Sequence, residues 1–314
     1  MKYSFLWLLI ALLSFGVVSC KKDANDGYKK IIDPNDTIPE QPVDTTTVLL
    51  PCNGDTLLCG KRYDELVYIM THNSHAHSPL FSQFAANQDQ TVTKQLQDGV
   101  RALNFKTYYT NDTSCGPQGV YVYHGFPSLG CVLFSSVLQE VKDFLVANPR
   151  DILTIHIEGS ATVAQMNDVF VSLGLTGYFH QQTLGQPWPT LGEMITSGKR
   201  MVLFTDRNNN SDVPGFHHSW SFMVDNNYDA KSLSEFDCNW FRGDPNGGLY
   251  LFNHFITKLS PQRDSAAVIN TYDKLMGRIN ECQAYHGRRP TFIHLDFYEL
   301  GDAKRVVDEL NGVQ

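Results

Sequence analysis

Positive charge is scarce in this sequence, and no hydrophobic run is long enough to span a membrane. Its 25 Lys and Arg residues are outnumbered by 33 Asp and Glu residues, giving a formal net charge of −8 at pH 7. Without a basic surplus the chain lacks the long-range field that attracts nucleic acid or an anionic bilayer. We therefore expect no nucleic-acid partner, and any phosphate recognition must be local. The apolar run over residues 5–18 is shorter than the roughly 20 residues of a spanning helix.

The first twenty residues are typical of a bacterial export signal. Lys2 precedes the apolar run, and small residues follow it, which predicts a signal peptide over residues 1–19. Val-Val-Ser-Cys at positions 17–20 resembles the lipobox at which bacterial prolipoproteins are cut and acylated. Lipid on Cys20 would anchor the exported protein to a membrane of the cell envelope, facing the periplasm or the cell surface. An ordinary cleaved signal with a chance cysteine is the alternative.

The remaining chain divides into a tether and one large folded region. Residues 20–49 contain the lipidation site and then mostly Lys, Asp, Pro and Thr, so we expect a flexible tether. With 42% hydrophobic and 12% aromatic residues, the chain can bury a large core, which we assign to residues 50–314. Six cysteines lie in this region and allow 15 pairings, of which sequence neighbours favour Cys52–Cys59, Cys115–Cys131 and Cys238–Cys282.

After residue 50, short apolar runs alternate with helical patterns, which favours an α/β fold with parallel strands. One helix is predicted to begin at a Ser135-Ser136 cap and to end at Asn148-Pro149, and parts of 187–198 and 266–286 also have helical patterns. This spacing predicts a TIM-type barrel, either closed or irregular and incompletely closed, with an open doubly wound sheet as the alternative. The eight strand candidates are 66–71, 101–107, 120–124, 152–158, 200–205, 221–224, 249–253 and 291–297.

Polar side chains cluster where these strand candidates end, which in a barrel is the rim that carries catalytic groups. Two histidines, a carboxylate and a cation together supply the base, acid, orienting group and charge needed to cleave a phosphodiester without a cofactor. The rim candidates are His72, Asn73, Lys106, His124, Glu158, Asp206, Arg207 and Asp296.

Several separated segments resemble one family, the X domain of phosphatidylinositol-specific phospholipase C. The order and spacing match over roughly residues 50–312, and three further segments (59–65, 188–191 and 224–228) are similar to the secreted group that has only this domain. The resemblance implies cleavage of inositol phospholipids, or of glycosylated inositol-lipid anchors, at a membrane surface. We expect the protein to be a monomer. The matching segments are Thr-His-Asn-Ser at 71–74, Gly-Val-Arg-Ala-Leu at 99–103, His-Gly at 124–125, residues 141–149, and Leu-Asp-Phe-Tyr at 295–298.

The resemblance also assigns catalytic roles. His72 would take the proton of the inositol 2-hydroxyl group, Asp296 would orient His72, and His124 would protonate the departing glycerol oxygen. The expected products are diacylglycerol and a cyclic inositol phosphate, which His124 would then help water to open.

The identity of residue 106 indicates whether the site uses a metal ion. In the calcium-dependent branch of the family, acidic residues at this strand end and an asparagine matching Asn73 hold calcium. A lysine at this point resembles the metal-free branch, which has an arginine there and an aspartate in place of Asn104. We therefore expect no cofactor, with calcium as the alternative.

The remaining candidates concern the substrate headgroup. Tyr228 and Asn226 lie where the metal-free enzymes have a ring-stacking tyrosine and an acidic hydroxyl ligand, and Arg207 is a further candidate donor. Glu158 is either a substrate contact or a structural ion pair. Two other functions stay open: a metal-dependent glycerophosphodiester-type phosphodiesterase, and a non-catalytic surface lipoprotein that uses the barrel for binding.

Overall fold

The computed structural model describes residues 50–207 and 213–313. The predicted signal peptide, the predicted acylation site Cys20 and the predicted tether lie outside the described residues. No helix within the described ranges has both the length and the apolar character of a membrane span.

The described chain contains eleven strands and eight α-helices. The strands are β1 Tyr68–Thr71, β2 Ala102–Thr110, β3 Gly119–Tyr123, β4 Cys131–Leu133, β5 Leu153–Gly159, β6 Met201–Thr205, β7 Phe216–His218, β8 Met223–Asn226, β9 Trp240–Gly243, β10 Leu249–Asn253 and β11 Phe292–Leu295. The helices are α1 Val92–Gln97, α2 Phe134–Ala147, α3 Val163–Ser172, α4 Leu191–Thr196, α5 Ser219–Phe222, α6 Arg263–Ile269, α7 Tyr272–His286 and α8 Ala303–Asn311.

Eight of the strands are parallel and form one curled sheet. Their order is β7-β6-β5-β2-β1-β11-β10-β8, with β9 antiparallel at the outer side of β8. The rings of Phe204 on β6 and Phe292 on β11 approach to 6.4 Å between centroids, although three strands lie between them in the sheet. The described residues show no pairing between β7 and β8, which α5 joins in sequence. The predicted TIM-type α/β barrel is therefore confirmed in its incompletely closed form.

Alternate residues along the strands pack into two hydrophobic cores, one inside the barrel and one between the sheet and the surrounding helices. Met70, Phe204 and Phe292 point into the barrel, whereas Leu103 and Ile155 face the surrounding helices. All five are buried. Strands covered on both faces need apolar side chains at nearly every position, which explains why the sequence reads as short continuous apolar runs. The same alternation sends the polar residues at the strand ends toward the barrel axis.

The structure corrects several details of the predicted elements. The strand candidate 120–124 is β3, which runs antiparallel between β2 and β4 and lies outside the parallel set. The candidate 221–224 begins inside α5. The predicted serine cap of α2 is wrong, because the helix begins at Phe134 and its N-cap, Leu133, makes no side-chain hydrogen bond. The short strands β4, β7 and β9 were not predicted.

The predicted disulfides are confirmed. The bonded pairs are Cys52–Cys59, Cys115–Cys131 and Cys238–Cys282. The second joins the loop after β2 to β4, and the third joins the segment before β9 to α7. Both therefore fasten hairpins that lie beside the rim of the barrel.

Candidate active site

The structure gathers four predicted residues at the carboxyl ends of neighbouring parallel strands. His72 directly follows β1, and Asp296 directly follows its neighbour β11. Lys106 on β2 and Glu158 on β5 are register partners. All four continue the alternation that points into the barrel, so they meet at its rim, where barrel enzymes carry their catalytic groups.

His72 is held on three sides. Its Nδ1 lies 2.8 Å from Asp296 Oδ1, so Nδ1 is the protonated ring nitrogen and donates a hydrogen bond to the carboxylate. Asn87 Nδ2 donates to the same carboxylate oxygen at 2.8 Å. Phe255 stacks on the imidazole with centroids 4.2 Å apart, and Asn73 Nδ2 lies 3.1 Å from Nε2. The imidazole therefore has a fixed orientation, with the lone pair of Nε2 facing Asn73.

His124 faces His72 from the hairpin that follows β3. Its Nδ1 donates to the carbonyl oxygen of Ala85 at 2.9 Å, which leaves Nε2 for other chemistry. The two imidazole centroids are 6.3 Å apart. Two rings at this separation, each with one ring nitrogen fixed by the protein, suit a phosphate group placed between them.

Burial sets the protonation of this pair. It lowers the pKa of His72 well below its usual 6.5, and the positive charges of Lys106 and His124 lower it further. Burial also lowers the pKa of His124. The pKa of Asp296 is raised to about 7 by burial, despite the opposing effects of Asn87, His124 and Lys106. At neutral pH His72 is therefore uncharged and able to accept a proton.

Lys106 and Glu158 supply the charges beside the histidines. Lys106 pairs with β5 through its backbone, but its side chain makes no hydrogen bond or ion pair with any residue that the structure describes. Burial alone would raise the pKa of Glu158, but the positive charges of His156, Lys106 and Arg242 outweigh it and lower the pKa to about 2. Glu158 thus stays ionised beside the Lys106 ammonium group.

The other predicted contacts are placed unequally. Asn73 is buried beside His72, and Arg207 lies on the rim with Nε 3.7 Å from Asp206 Oδ1. Tyr228 is on the rim and 37% exposed. Asn226 is an exception, because it is fully buried and exchanges hydrogen bonds of 2.8 and 3.1 Å with the backbone of Asn253. That placement does not support the predicted headgroup contact of Asn226.

We call the space between His72, His124, Lys106 and Glu158 at the rim the cleft. Sequence reasoning missed three residues beside it: Asn87, Asp225 and Arg242. Asn87 lies in an irregular loop, where no periodicity marks it. Asp225 precedes Asn226, and it is Asp225 that bonds Arg242, at 2.6 Å. Arg242 lies on the unpredicted strand β9. The alternation of β8 could have favoured Asp225 over Asn226, but nothing in the sequence marks Arg242.

The described residues contain no group of three or more His, Cys, Asp or Glu side chains arranged to hold a metal ion. On β2, the strand where the calcium-dependent branch would have acidic ligands, the structure has Asn104 and Lys106 on the face that points into the barrel. Asn104 donates from Nδ2 to Glu158 Oε2 at 3.2 Å. The Lys106 ammonium group would repel a divalent cation here, and the Asn104 amide oxygen already accepts from the backbone N–H of Asn73 at 3.1 Å.

Large apolar side chains are exposed on loops and on the hairpin strands β2 and β9 at the same end of the barrel. Phe126, two residues after His124, is 71% exposed. By contrast, Phe134 is buried, and Tyr108 stacks on Tyr123 with centroids 3.9 Å apart. The exposed group comprises Phe84, Tyr109, Phe126, Phe241 and Leu259.

Two of the related proteins have the PI-PLC X domain in their names. A PI-PLC X domain-containing protein 1 of Arthroderma benhamiae is 29% identical over 288 residues, which cover 84% of this chain and 90% of that protein. A PI-PLC X domain-containing protein of Arabidopsis thaliana is 27% identical over 284 residues, covering 82% of this chain and 64% of that protein. An uncharacterized secreted protein of Arthroderma benhamiae is 27% identical over 304 residues, covering 87% and 66% respectively.

Solved structures share the fold. Phosphatidylinositol-specific phospholipase C from Listeria monocytogenes is 18% identical with a TM-score of 0.53, covering 80% of this chain and 94% of that chain. The corresponding enzyme from Staphylococcus aureus is 16% identical with a TM-score of 0.53, covering 81% and 94%. At these identities the likeness shows the fold alone. The PI-PLC X family model, described as PI-PLC X 1, matches residues 58–311. This chain therefore belongs to the PI-PLC X-domain family.

Proposed function

We propose that this protein is a phosphodiesterase that cleaves inositol phospholipids, or glycosylated inositol-lipid anchors, by two-histidine acid–base catalysis without a metal ion. The observation that carries the proposal is the pairing of His72 with Asp296 at 2.8 Å, directly across from His124. Membership of the PI-PLC X-domain family supports the substrate class.

In the first step His72 Nε2 takes the proton of the inositol 2-hydroxyl group. The hydroxyl oxygen attacks the adjacent phosphorus, the bond from phosphorus to the glycerol oxygen breaks, and His124 Nε2 gives its proton to that oxygen. Diacylglycerol leaves, and a cyclic inositol phosphate remains. The Asn73 amide beside His72 Nε2 must yield this position to the substrate hydroxyl group.

Asp296 and Lys106 stabilise the charges that form in this step. The His72 imidazolium keeps its Nδ1–H bond to the Asp296 carboxylate, which offsets the new positive charge. Lys106 neutralises the negative charge that develops on the phosphoryl oxygens. Because lysine is a point charge without the planar fork of arginine, Lys106 fixes the phosphate less rigidly than an arginine would. In a second step His124 acts as the base toward water, which opens the cyclic phosphate.

Hydrolysis of phosphatidylinositol vesicles with and without EDTA tests the proposal. We expect turnover by residues 50–314 to be unchanged by chelation and by added Ca²⁺, since Lys106 supplies the charge that a metal ion would provide. Loss of activity in EDTA would contradict the metal-free mechanism and favour a metal-dependent phosphodiesterase. Absence of turnover on inositol lipids and glycosylated anchors would contradict the proposed activity and favour a binding role.

We also propose that the protein is exported and anchored through lipid on Cys20, with the folded domain acting on lipid outside the cytoplasm. Three disulfides fit an oxidising compartment, and the exposed apolar side chains around the cleft suit contact with a lipid surface. We expect Cys20→Ser to abolish metabolic labelling with radioactive palmitate and to move the protein from the membrane to the soluble fraction. Wild-type protein that is unlabelled and soluble would contradict the anchor.

A further inference from the structure

Arg242 reaches the cleft from outside the parallel barrel. Its strand, β9, pairs antiparallel with β8. The backbone N–H of Arg242 donates to Asp225 Oδ1 at 2.8 Å, and Nε and Nη2 donate to Asp225 Oδ2 at 3.0 and 2.6 Å. One edge of the guanidinium group is thus fixed on a fully buried carboxylate.

Two aromatic rings flank the same guanidinium group. Its Cζ lies 4.2 Å from the ring centroid of Trp220 and 4.4 Å from that of Tyr228. Cation–π contacts at these distances hold an arginine against the ring faces. One face of Tyr228, the residue that the sequence resemblance assigns to stacking on a substrate ring, is therefore in contact with Arg242.

The other edge of Arg242 is not saturated. Nη1 lies 3.6 Å from Glu158 Oε1, which is an ion-pair distance and too long for a hydrogen bond. Among the described residues, the Glu158 carboxylate accepts a hydrogen bond only from Asn104, and that bond is to Oε2. Glu158 Oε1 therefore accepts none. Arg242 Nη1 and Glu158 Oε1 are therefore a neighbouring donor and acceptor, both unsatisfied and both fixed by their other partners.

We infer that Arg242 is a specificity-determining residue, whose Nη1 forms with Glu158 Oε1 a binding pair for ring hydroxyl groups distal to the reacting 2-hydroxyl group. A hydroxyl group both donates and accepts, so it satisfies this pair where an anion or a cation would meet one like charge. Tyr228 then holds Arg242 in place and does not itself stack on the substrate ring. This inference rests on the proposed action on inositol headgroups.

The positive charge of Arg242 supports its assignment as a specificity-determining residue. Arg242 lowers the pKa of Glu158 and opposes the rise that burial causes in the pKa of Asp225. Arg242 therefore favours the ionised forms of two buried carboxylates, and its positive charge offsets their negative charge beside a site that must admit a phosphate. The Cys238–Cys282 bond fastens the segment before β9 to α7, which keeps this hairpin in register with the cleft.

The test combines enzyme variants with altered substrates. Wild type and Arg242→Gln are assayed on a soluble inositol phosphodiester and on its deoxy analogues, each lacking one hydroxyl group distal to the 2-hydroxyl group. We expect one analogue to lower the wild-type kcat/KM by about 10- to 100-fold, the usual cost of a lost charged hydrogen bond. Arg242→Gln should lose a similar factor on the parent substrate and little more on that analogue. Equal losses on every substrate would overturn the inference, because they indicate a structural role.

A second cycle tests Tyr228. We expect Tyr228→Phe to leave kcat/KM unchanged because the ring remains. Tyr228→Ala should lower kcat/KM when introduced alone, but it should cause no further loss when combined with Arg242→Gln. An equal cost of Tyr228→Ala in both backgrounds would overturn the assignment, since Tyr228 would then contact the substrate directly. The Asp225→Asn/Arg242→Gln double variant removes both charges of the ion pair and serves where the single variant fails to fold.

Ligand-observed NMR with myo-inositol separates this inference from the proposed activity. Binding by wild type that disappears in Arg242→Gln supports the inference, even for a protein that turns over no inositol lipid. Binding that survives in the folded variant, or no binding by wild type, overturns it whatever the outcome of the lipase assay.

Discussion

His124→Ala should lose about 10²- to 10⁴-fold in kcat on phosphatidylinositol and recover most of that loss on an inositol phosphodiester with a p-nitrophenol leaving group. The glycerol oxygen is a poor leaving group and needs the proton that His124 supplies. A p-nitrophenolate ion leaves without one. His72→Ala should lose a similar factor on both substrates, because the 2-hydroxyl group must be deprotonated whatever group departs. Steady-state kinetics of both variants on both substrates measures this difference.

His77→Ala is the matched control for this experiment. His77 lies in the same loop as His72, and within residues 50–207 and 213–313 its side chain hydrogen-bonds only to the carbonyl oxygen of the adjacent Ser78, at 3.3 Å. We expect wild-type rates on both substrates. Recovery of His72→Ala on the activated substrate, or its absence in His124→Ala, would contradict the assigned roles of acid and base.

The barrel was predictable because its strands are buried on both faces. Residues such as Leu103 and Ile155 pack outward, while Met70 and Phe292 pack inward, so both kinds had to be apolar and the runs stood out. Direction was not predictable in the same way. The strand candidate 120–124 has the same apolar signal, but it forms a hairpin with β2, because the chain returns after a loop too short for a helical crossover.

The candidate site was predictable where a residue follows directly from a strand end. His72 and Asp296 each stand one position beyond a parallel strand, so the topology brought them together. Arg242 could not be found in this way. Its strand has only four residues, and its partners Asp225 and Glu158 come from β8 and β5, so its position depends on tertiary pairing alone. The headgroup contact predicted for Asn226 is unsupported for a related reason. A shift of one residue along a strand turns a side chain to the other face, and it is the preceding residue, Asp225, that bonds Arg242.

Asp296→Asn should lower kcat by about 10³- to 10⁴-fold and should also change the shape of the pH profile. Because burial raises the pKa of Asp296 to about 7, the carboxylate that stabilises the His72 imidazolium forms only as the pH rises through that value. Activity therefore increases with pH in this range. His124 must be protonated, and burial lowers its pKa below 6.5, so activity also declines as the pH rises past that pKa. The two limbs cross at a maximum below pH 7.

In Asp296→Asn the rising limb near pH 7 should vanish, while the decline governed by His124 remains. Thermal unfolding separates this effect from misfolding. A carboxyl group whose folded pKa is raised above its unfolded value destabilises the protein once the pH exceeds the unfolded pKa, so stability falls as the pH rises toward 7. Replacing Asp296 by a neutral amide removes that loss, and we expect a melting temperature at pH 7 no lower than that of wild type. A variant that keeps the rising limb would show that another group titrates there, and Asp296 would then be no part of the base.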